Sequence, residues 1–212
     1  MPTDESAPPS ASVDLYWLPL GAGDNTHCVR TNGRIFEWVT ARYEHREHLE
    51  LYHSALEVLT DCRRYVIEMA PVWSFVAPDR GVVGEGPVGL RWLGGSRLFR
   101  YEVRCWRDGT IPDLAEAVDG PQRLSTEVSR ARRVLSSAPA FPTATWGRDE
   151  LHTGDMWNSN SLVTWLLASA GIDLDGVQPP RGGRAPGWHA GLVVATKAGG
   201  SHADGVAPAA LS

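Results

Sequence analysis

The sequence predicts an α+β domain in which an antiparallel sheet of about five or six strands packs against a helix late in the chain. In the first half, segments with apolar residues at alternate positions are separated by turn residues. After residue 124 that period gives way to helical spacing. The whole chain, 212 residues with 42% hydrophobic and 21% charged, has the composition of one globular domain with a core of its own.

Residues 1–12 are polar, rich in Pro and Ser and carry Asp4 and Glu5, which predicts a disordered tail and not a signal peptide. Residues 13–18 read as a first strand, stopped by Pro19 and the turn residues that follow. Residues 26–31 and 34–39 flank Asn32-Gly33, a pair that tolerates positive φ and suits the tight turn of a hairpin. Residues 49–59 alternate, with Leu51, His53, Ala55 and Glu57 on one face and Tyr52, Ser54, Leu56 and Val58 on the other. After the turn Thr60-Asp61-Cys62, residues 64–70 return as a partner strand.

The stretch 71–96 is rich in Gly and Pro and reads as a long irregular excursion, after which residues 97–106 close the sheet. Helices are expected over 124–138, ended by Pro139, and over about 157–170, with Gly171 at the stop position. The last ordered element is expected at 190–196, so that 13–197 form a single domain and 198–212 a flexible tail.

A net charge of -5 and a pI near 5.8 give no chain-wide reason to attract phosphate backbones or anionic lipid, which argues against nucleic acid and membrane surfaces as partners. No apolar run is long enough to span a bilayer, so no membrane insertion is expected. Cys28, Cys62 and Cys105 are an odd number without a CxxC pair, which indicates neither a disulfide framework nor a thiolate zinc site and fits a reducing, cytoplasmic compartment. Nine tryptophans are many for this length, and such rings serve either as core or as the walls of a cleft with one wet edge.

Ser159 falls at the first turn of the second helix, on the stripe of Leu162, Val163, Leu166 and Ala170. Unpaired backbone N–H groups and the positive end of the helix dipole favour negative charge there, and Asn158 and Asn160 offer amides to an oxyanion. A hydroxyl needs a base, for which His53 is the candidate, with Glu68 on the same sheet face to orient it. Each residue also has a purely structural role open to it: Ser159 as a helix cap, His53 as a satisfied sheet histidine, Glu68 paired with an arginine such as Arg63 or Arg64. Trp157 and Trp188 are candidates to shape the cleft, with Arg148 and Arg184 flanking it.

The runs His53-Ser54-Ala55-Leu56-Glu57-Val58, Tyr65-Val66-Ile67-Glu68 and Asn158-Ser159-Asn160-Ser161-Leu162-Val163-Thr164-Trp165-Leu166-Leu167, in that order, resemble the circularly permuted NlpC-type papain-like superfamily. That superfamily includes relatives of lecithin:retinol acyltransferase, and the likeness covers residues 49–171. The resemblance implies a papain-like fold in which one strand supplies His, the next a polar partner and a later helix the nucleophile. Ser159 stands where the family pattern has Cys, so attack would depend wholly on base and oxyanion geometry.

Other signals are weaker. His45, His48 and His53 could be metal ligands, but the spacing is not His-Glu-x-x-His, and no Gly-rich stretch has the context of a phosphate loop. His27 and Cys28, adjacent in a strand, point to opposite faces. The expectation is therefore a hydrolase or acyl-transfer enzyme acting on an amide or ester of a small molecule or peptide, with no cofactor and no metal. The competing readings are a catalytically silent papain-like module that binds a peptide, an acyl chain or a protein partner, and a purely structural domain.

Overall fold

The computed structural model describes residues 9–20, 49–72, 79–112 and 114–203. Its strands are β1 (Ser12–Pro19), β2 (Tyr52–Thr60), β3 (Arg63–Pro71), β4 (Val82–Pro87), β5 (Arg100–Arg107) and β6 (Gln122–Ser125). They form one antiparallel sheet in the order β4-β5-β3-β2-β1-β6, within the expected size. Three α-helices follow among the described residues: α1 (Val128–Ser137), α2 (Ser159–Ser169) and α3 (Trp188–Ala203). The hairpin expected about Asn32-Gly33, His27, Cys28, His45, His48 and most of both tails lie outside the described residues.

The β2–β3 hairpin turns on Asp61 and Cys62, at φ 52 and 58. Two successive left-handed residues match the right-handed twist of the strands they join, which fixes the register at Leu56 with Ile67 and Glu57 with Val66.

The two sheet faces differ in chemistry. Val13, Leu15 and Trp17 of β1, Leu56 and Val58 of β2, Ile67 and Met69 of β3, and Tyr101 and Val103 of β5 share one core with the helices. The opposite face carries a smaller cluster, Tyr16, Leu18, Ala55, Val66 and Ile111. Beside that cluster lies a chain of charges: Glu68 accepts from Arg104 at 2.9 Å, Arg104 donates to Glu102 at 3.1 Å, and Arg80 pairs with Glu102. Arg104 and Glu102 are wholly buried. Burial pushes the Glu102 carboxyl up, and its hydrogen bonds from Arg80 and Arg104 more than offset this and hold it below the usual range.

Several elements differ from the sequence expectation. The excursion at 71–96 contains β4, because ladder pairing uses backbone groups that glycine supplies as fully as valine does. Residues 97–99 form a 3-10 turn, so the closing strand starts at Arg100. Residues 122–125 are the edge strand β6, so Leu124 and Ser125, expected at the start of the 124–138 helix, belong to a strand, and α1 starts at Val128. α3 runs from Trp188 to Ala203, past the point where the tail was expected to begin.

Replacing Arg104 with Leu removes the buried guanidinium that Glu68 and Glu102 share, although Glu102 keeps its pairing with Arg80. Arg104→Leu is expected to lower unfolding stability by about 3–5 kcal/mol, read as the shift in a urea transition at neutral pH. A shift within experimental error would show that the buried charges contribute nothing.

Candidate functional site

α2 is buried on every side from Ser159 to Leu167, which its sequence of small and apolar residues permits. Its first turn is a polar hub. Asn158 is the N-cap, accepting from the backbone N–H groups of Asn160 at 2.9 Å and Ser161 at 3.4 Å, while Ser161 Oγ accepts from Asn158 N at 3.1 Å. This reciprocal capping box supplies acceptors for backbone donors that the first turn leaves unpaired. Asn160 turns towards the sheet. Its Nδ2 donates to the carbonyls of Tyr52 at 2.9 Å and Pro186 at 2.8 Å, and its Oδ1 accepts from Ser54 Oγ at 2.8 Å.

The same hub fixes α3. Asn158 Nδ2 also donates to the Pro186 carbonyl at 2.8 Å, and Ser161 Oγ donates to the Gly187 carbonyl at 2.8 Å. Gly187 has φ +88, and a Cβ there would overlap the Asn158 side chain; a Cβ at Gly191 would overlap the Ser161 carbonyl. Asp155 completes the joint by accepting from Gly187 N at 2.7 Å and Met156 N at 2.8 Å. Burial pushes the Asp155 carboxyl up, against the pull of N–H donors from Met156, Gly187 and His189.

Beside this joint lies an open cleft of about 490 Å³. Its walls are Gly154 and Asp155, the stretch from Val177 to Pro179, residues 183–186, and Trp188 and His189 at the start of α3. The rim at Arg184 is tied to the strand side of the molecule, donating its N–H to the Glu50 carbonyl and accepting from Tyr52 N, both at 2.8 Å. Trp188 packs against buried Trp17, with ring centroids 5.0 Å apart and planes tilted by 41°, and the Trp17 indole N–H has no acceptor among the described residues.

The residues expected to form a Ser/His/Glu set are not brought together. Ser54 bonds to α2, and adjacent residues of a strand point to opposite faces, so His53 turns to the far side of the sheet. There it stands opposite Leu18, on the face of Ala55 and Val66. Burial lowers the His53 pKa from 6.5 to about 4, which leaves a weak base as well as a misdirected one. Glu68 does share the His53 face, as the register predicts, but its carboxylate is held by Arg104 at 2.9 Å. The arginine partner is thus Arg104, where sequence spacing suggested Arg63 or Arg64.

The amides proposed for an oxyanion have structural partners. Both Asn160 Nδ2 hydrogens are taken, and Asn158 is the cap. Trp157 is core: its indole donates to the Pro142 carbonyl at 3.0 Å and its ring stacks on Phe141 at 4.9 Å. Trp188 does line the cleft, whereas Ser159 does not. The Ser159 hydroxyl, in a residue that is itself buried, has no hydrogen-bond partner among the described residues. Sequence reasoning missed Ser54, Asp155 and Gly187; the pair Gly187 and Gly191, spaced as one helical turn, was the available signal of close helix contact.

Among the described residues no group of three or more His, Cys, Asp or Glu is placed to hold a metal ion, and no helix is long and apolar enough to cross a membrane. Burial also pushes the Cys105 thiol up to about 11, away from thiolate chemistry. The chain matches no protein-family model, no curated protein and no solved structure.

Truncating Asn160 takes away the acceptor of the Ser54 hydroxyl and one donor each from the Tyr52 and Pro186 carbonyls, the latter keeping Asn158 Nδ2. Asn160→Ala is expected to cost about 3 kcal/mol or more, and Ser54→Ala only about 1 kcal/mol, measured by urea unfolding. Equal costs for the two variants would remove Asn160 from the centre of the joint.

For His53, the unfolded chain takes up a proton near pH 6.5 and the folded protein only near pH 4. Between those values the unfolded state binds more protons, so stability falls as pH falls through the window and levels off below it. The expected loss is roughly 2–3 kcal/mol, and His53→Leu should remove it. An unchanged pH slope in His53→Leu would place the titration elsewhere.

Proposed function

We propose that the chain is a catalytically silent module of papain-like architecture that binds a short peptide-like ligand in the cleft beside the start of α3. The order of the His53, Glu68 and Asn158-Ser159 segments supports the architecture. The observation that carries the silent reading is the Ser54–Asn160 hydrogen bond, because it seats α2 on the face from which His53 turns away. A nucleophile without a base, on a helix whose neighbouring amides are already bonded, has no route to an alkoxide.

The cleft supports the ligand class. Val177, Pro179, Pro186 and Trp188 supply apolar walls and a flat ring, while Gln178, Arg184 and His189 supply polar groups that suit the alternating polar and apolar surface of a short peptide. A free amide N–H or carbonyl finds partners there without a strong net charge being required. The second reading, an amide or ester hydrolase using Ser159, has in its favour that the Ser159 hydroxyl has no hydrogen-bond partner among the described residues.

Two measurements on the whole chain separate these readings. Addition of N-acetyl-dialanine amide is expected to shift the backbone amide resonances of Gly187 and His189 saturably, and Trp188→Ala to abolish the shifts. A fluorophosphonate probe is expected to leave the folded protein unlabelled. Labelling at Ser159 that disappears in His53→Ala would overturn the silent reading in favour of the hydrolase.

A further inference from the structure

We propose that the loop joining β4 to β5, residues 88–99, docks the protein on an anionic lipid surface. Among the described residues seven large hydrophobic side chains are exposed, and four of them lie in this loop: Leu90 at 41%, Trp92 at 77%, Leu98 at 62% and Phe99 at 38%. Neither of its 3-10 turns, Arg91–Gly95 and Arg97–Phe99, contributes a buried residue. The loop is nevertheless held in shape. Val88 N donates to the Phe99 carbonyl at 2.8 Å, Gly89 N to the Trp146 carbonyl at 3.0 Å, and Arg148 Nε to the Gly89 carbonyl at 2.7 Å. A built loop that keeps tryptophan and leucine in water asks for a partner.

Charge selects the kind of partner. Residues 88–101 contain Arg91, Arg97 and Arg100 and no Asp or Glu, in a chain whose net charge is -5. Arg100 pairs with Glu85 at 2.9 Å, whereas Arg91 and Arg97 are exposed and form no salt bridge among the described residues. Arg91 nevertheless lies within the field of Glu150. Exposed Trp, Leu and Phe interleaved with exposed guanidinium groups outside any salt bridge among the described residues suit the boundary between headgroups and acyl chains, where rings and alkyl groups enter and cations stay with phosphate.

Area decides against a protein partner. A stable protein interface takes roughly 800 Å² and about 20 residues from each side, more than one short loop offers. Pairing with a second copy across a two-fold axis would also set the loop's arginines against one another. A lipid surface requires neither, and each basic residue near an anionic leaflet strengthens binding by about fivefold. The acidic remainder of the chain would be repelled, so the protein would approach loop first. The chain-wide charge, which argues against lipid, thus has a local exception.

The test is co-sedimentation of the full chain with sucrose-loaded vesicles of phosphatidylcholine, alone or mixed with phosphatidylglycerol. Binding is expected to the mixed vesicles, tighter than to phosphatidylcholine by about tenfold or more, and weaker as salt rises. Arg91→Gln with Arg97→Gln should remove the preference for phosphatidylglycerol. Trp92→Ser with Leu98→Ser should weaken binding to both vesicles without moving the thermal unfolding midpoint, since both side chains are exposed. The proposal is overturned if the full chain stays in the supernatant with both vesicles, or if Trp92→Ser with Leu98→Ser binds as the natural sequence does. A concentration-dependent dimer dissolved by those two substitutions, without vesicle binding, would likewise overturn it and assign the loop to a protein interface.

Discussion

The arrangement of helix on sheet depends on one buried side chain. Asn160 reaches the β2 backbone through the Tyr52 carbonyl, the β2 side chains through Ser54, and the entry to α3 through the Pro186 carbonyl. Three bonds from one amide fix the rotation of α2 about its own axis, because a turn of one residue would aim Ser159 or Ser161 at β2 instead. With that rotation set, Asn158 caps the helix and Ser161 meets Gly187, so α3 can approach only as closely as two glycines allow. A fully bonded polar network in a dry place is stabilising, but a half-bonded one costs more than an apolar core. Amides held this way are not available to a reacting substrate.

That rotation also explains why a plausible catalytic pattern is not assembled. Alternation along β2 was legible, and so was the grouping of His53 with Ala55 and Glu57 on one face and Ser54 with Leu56 and Val58 on the other. The missing step was which face receives the helix. In physical terms the answer was present in the residues: across β2 and β3 the Ser54 face adds the large apolar Leu56, Val58, Ile67 and Met69, while the His53 face mixes the smaller Ala55, Val66 and Ala70 with Glu57 and Glu68. A helix buried on all sides packs where it covers the most apolar surface. Reading His53 and Glu68 as a functional pair gave weight to residue type where the apolar balance should have decided.

Other parts of the fold resisted reading for different reasons. The β2–β3 hairpin and the stop at Gly171 followed from local chemistry, since turn geometry and period are carried by the residues themselves. β4 and β6 are edge strands, and their pairing with β5 and β1 is a property of the neighbour's free backbone edge more than of their own side chains. The cleft at Asp155 and Trp188 joins segments more than thirty residues apart and follows from the Asn158 and Ser161 contacts. No pattern within either segment announces it.

Charge behaves in the same way as hydrophobicity here, because where a residue ends up matters more than the total. Of the 20 basic residues only Lys197 is lysine, so nearly every cation is a planar guanidinium able to take two oxygens at once. Arg104 and Arg80 use that geometry to neutralise Glu68 and Glu102 inside the protein, and Arg123 does the same for buried Asp14 at the edge of the sheet. Charges consumed in this way contribute to the sum over the sequence but exert little field outside. What a partner meets is the remainder, and the remainder is uneven: a loop with arginines and no acids projects from a molecule whose total is negative. A net charge therefore constrains solubility and long-range steering, while the local field at a surface is set by which ionic groups the fold has already paired.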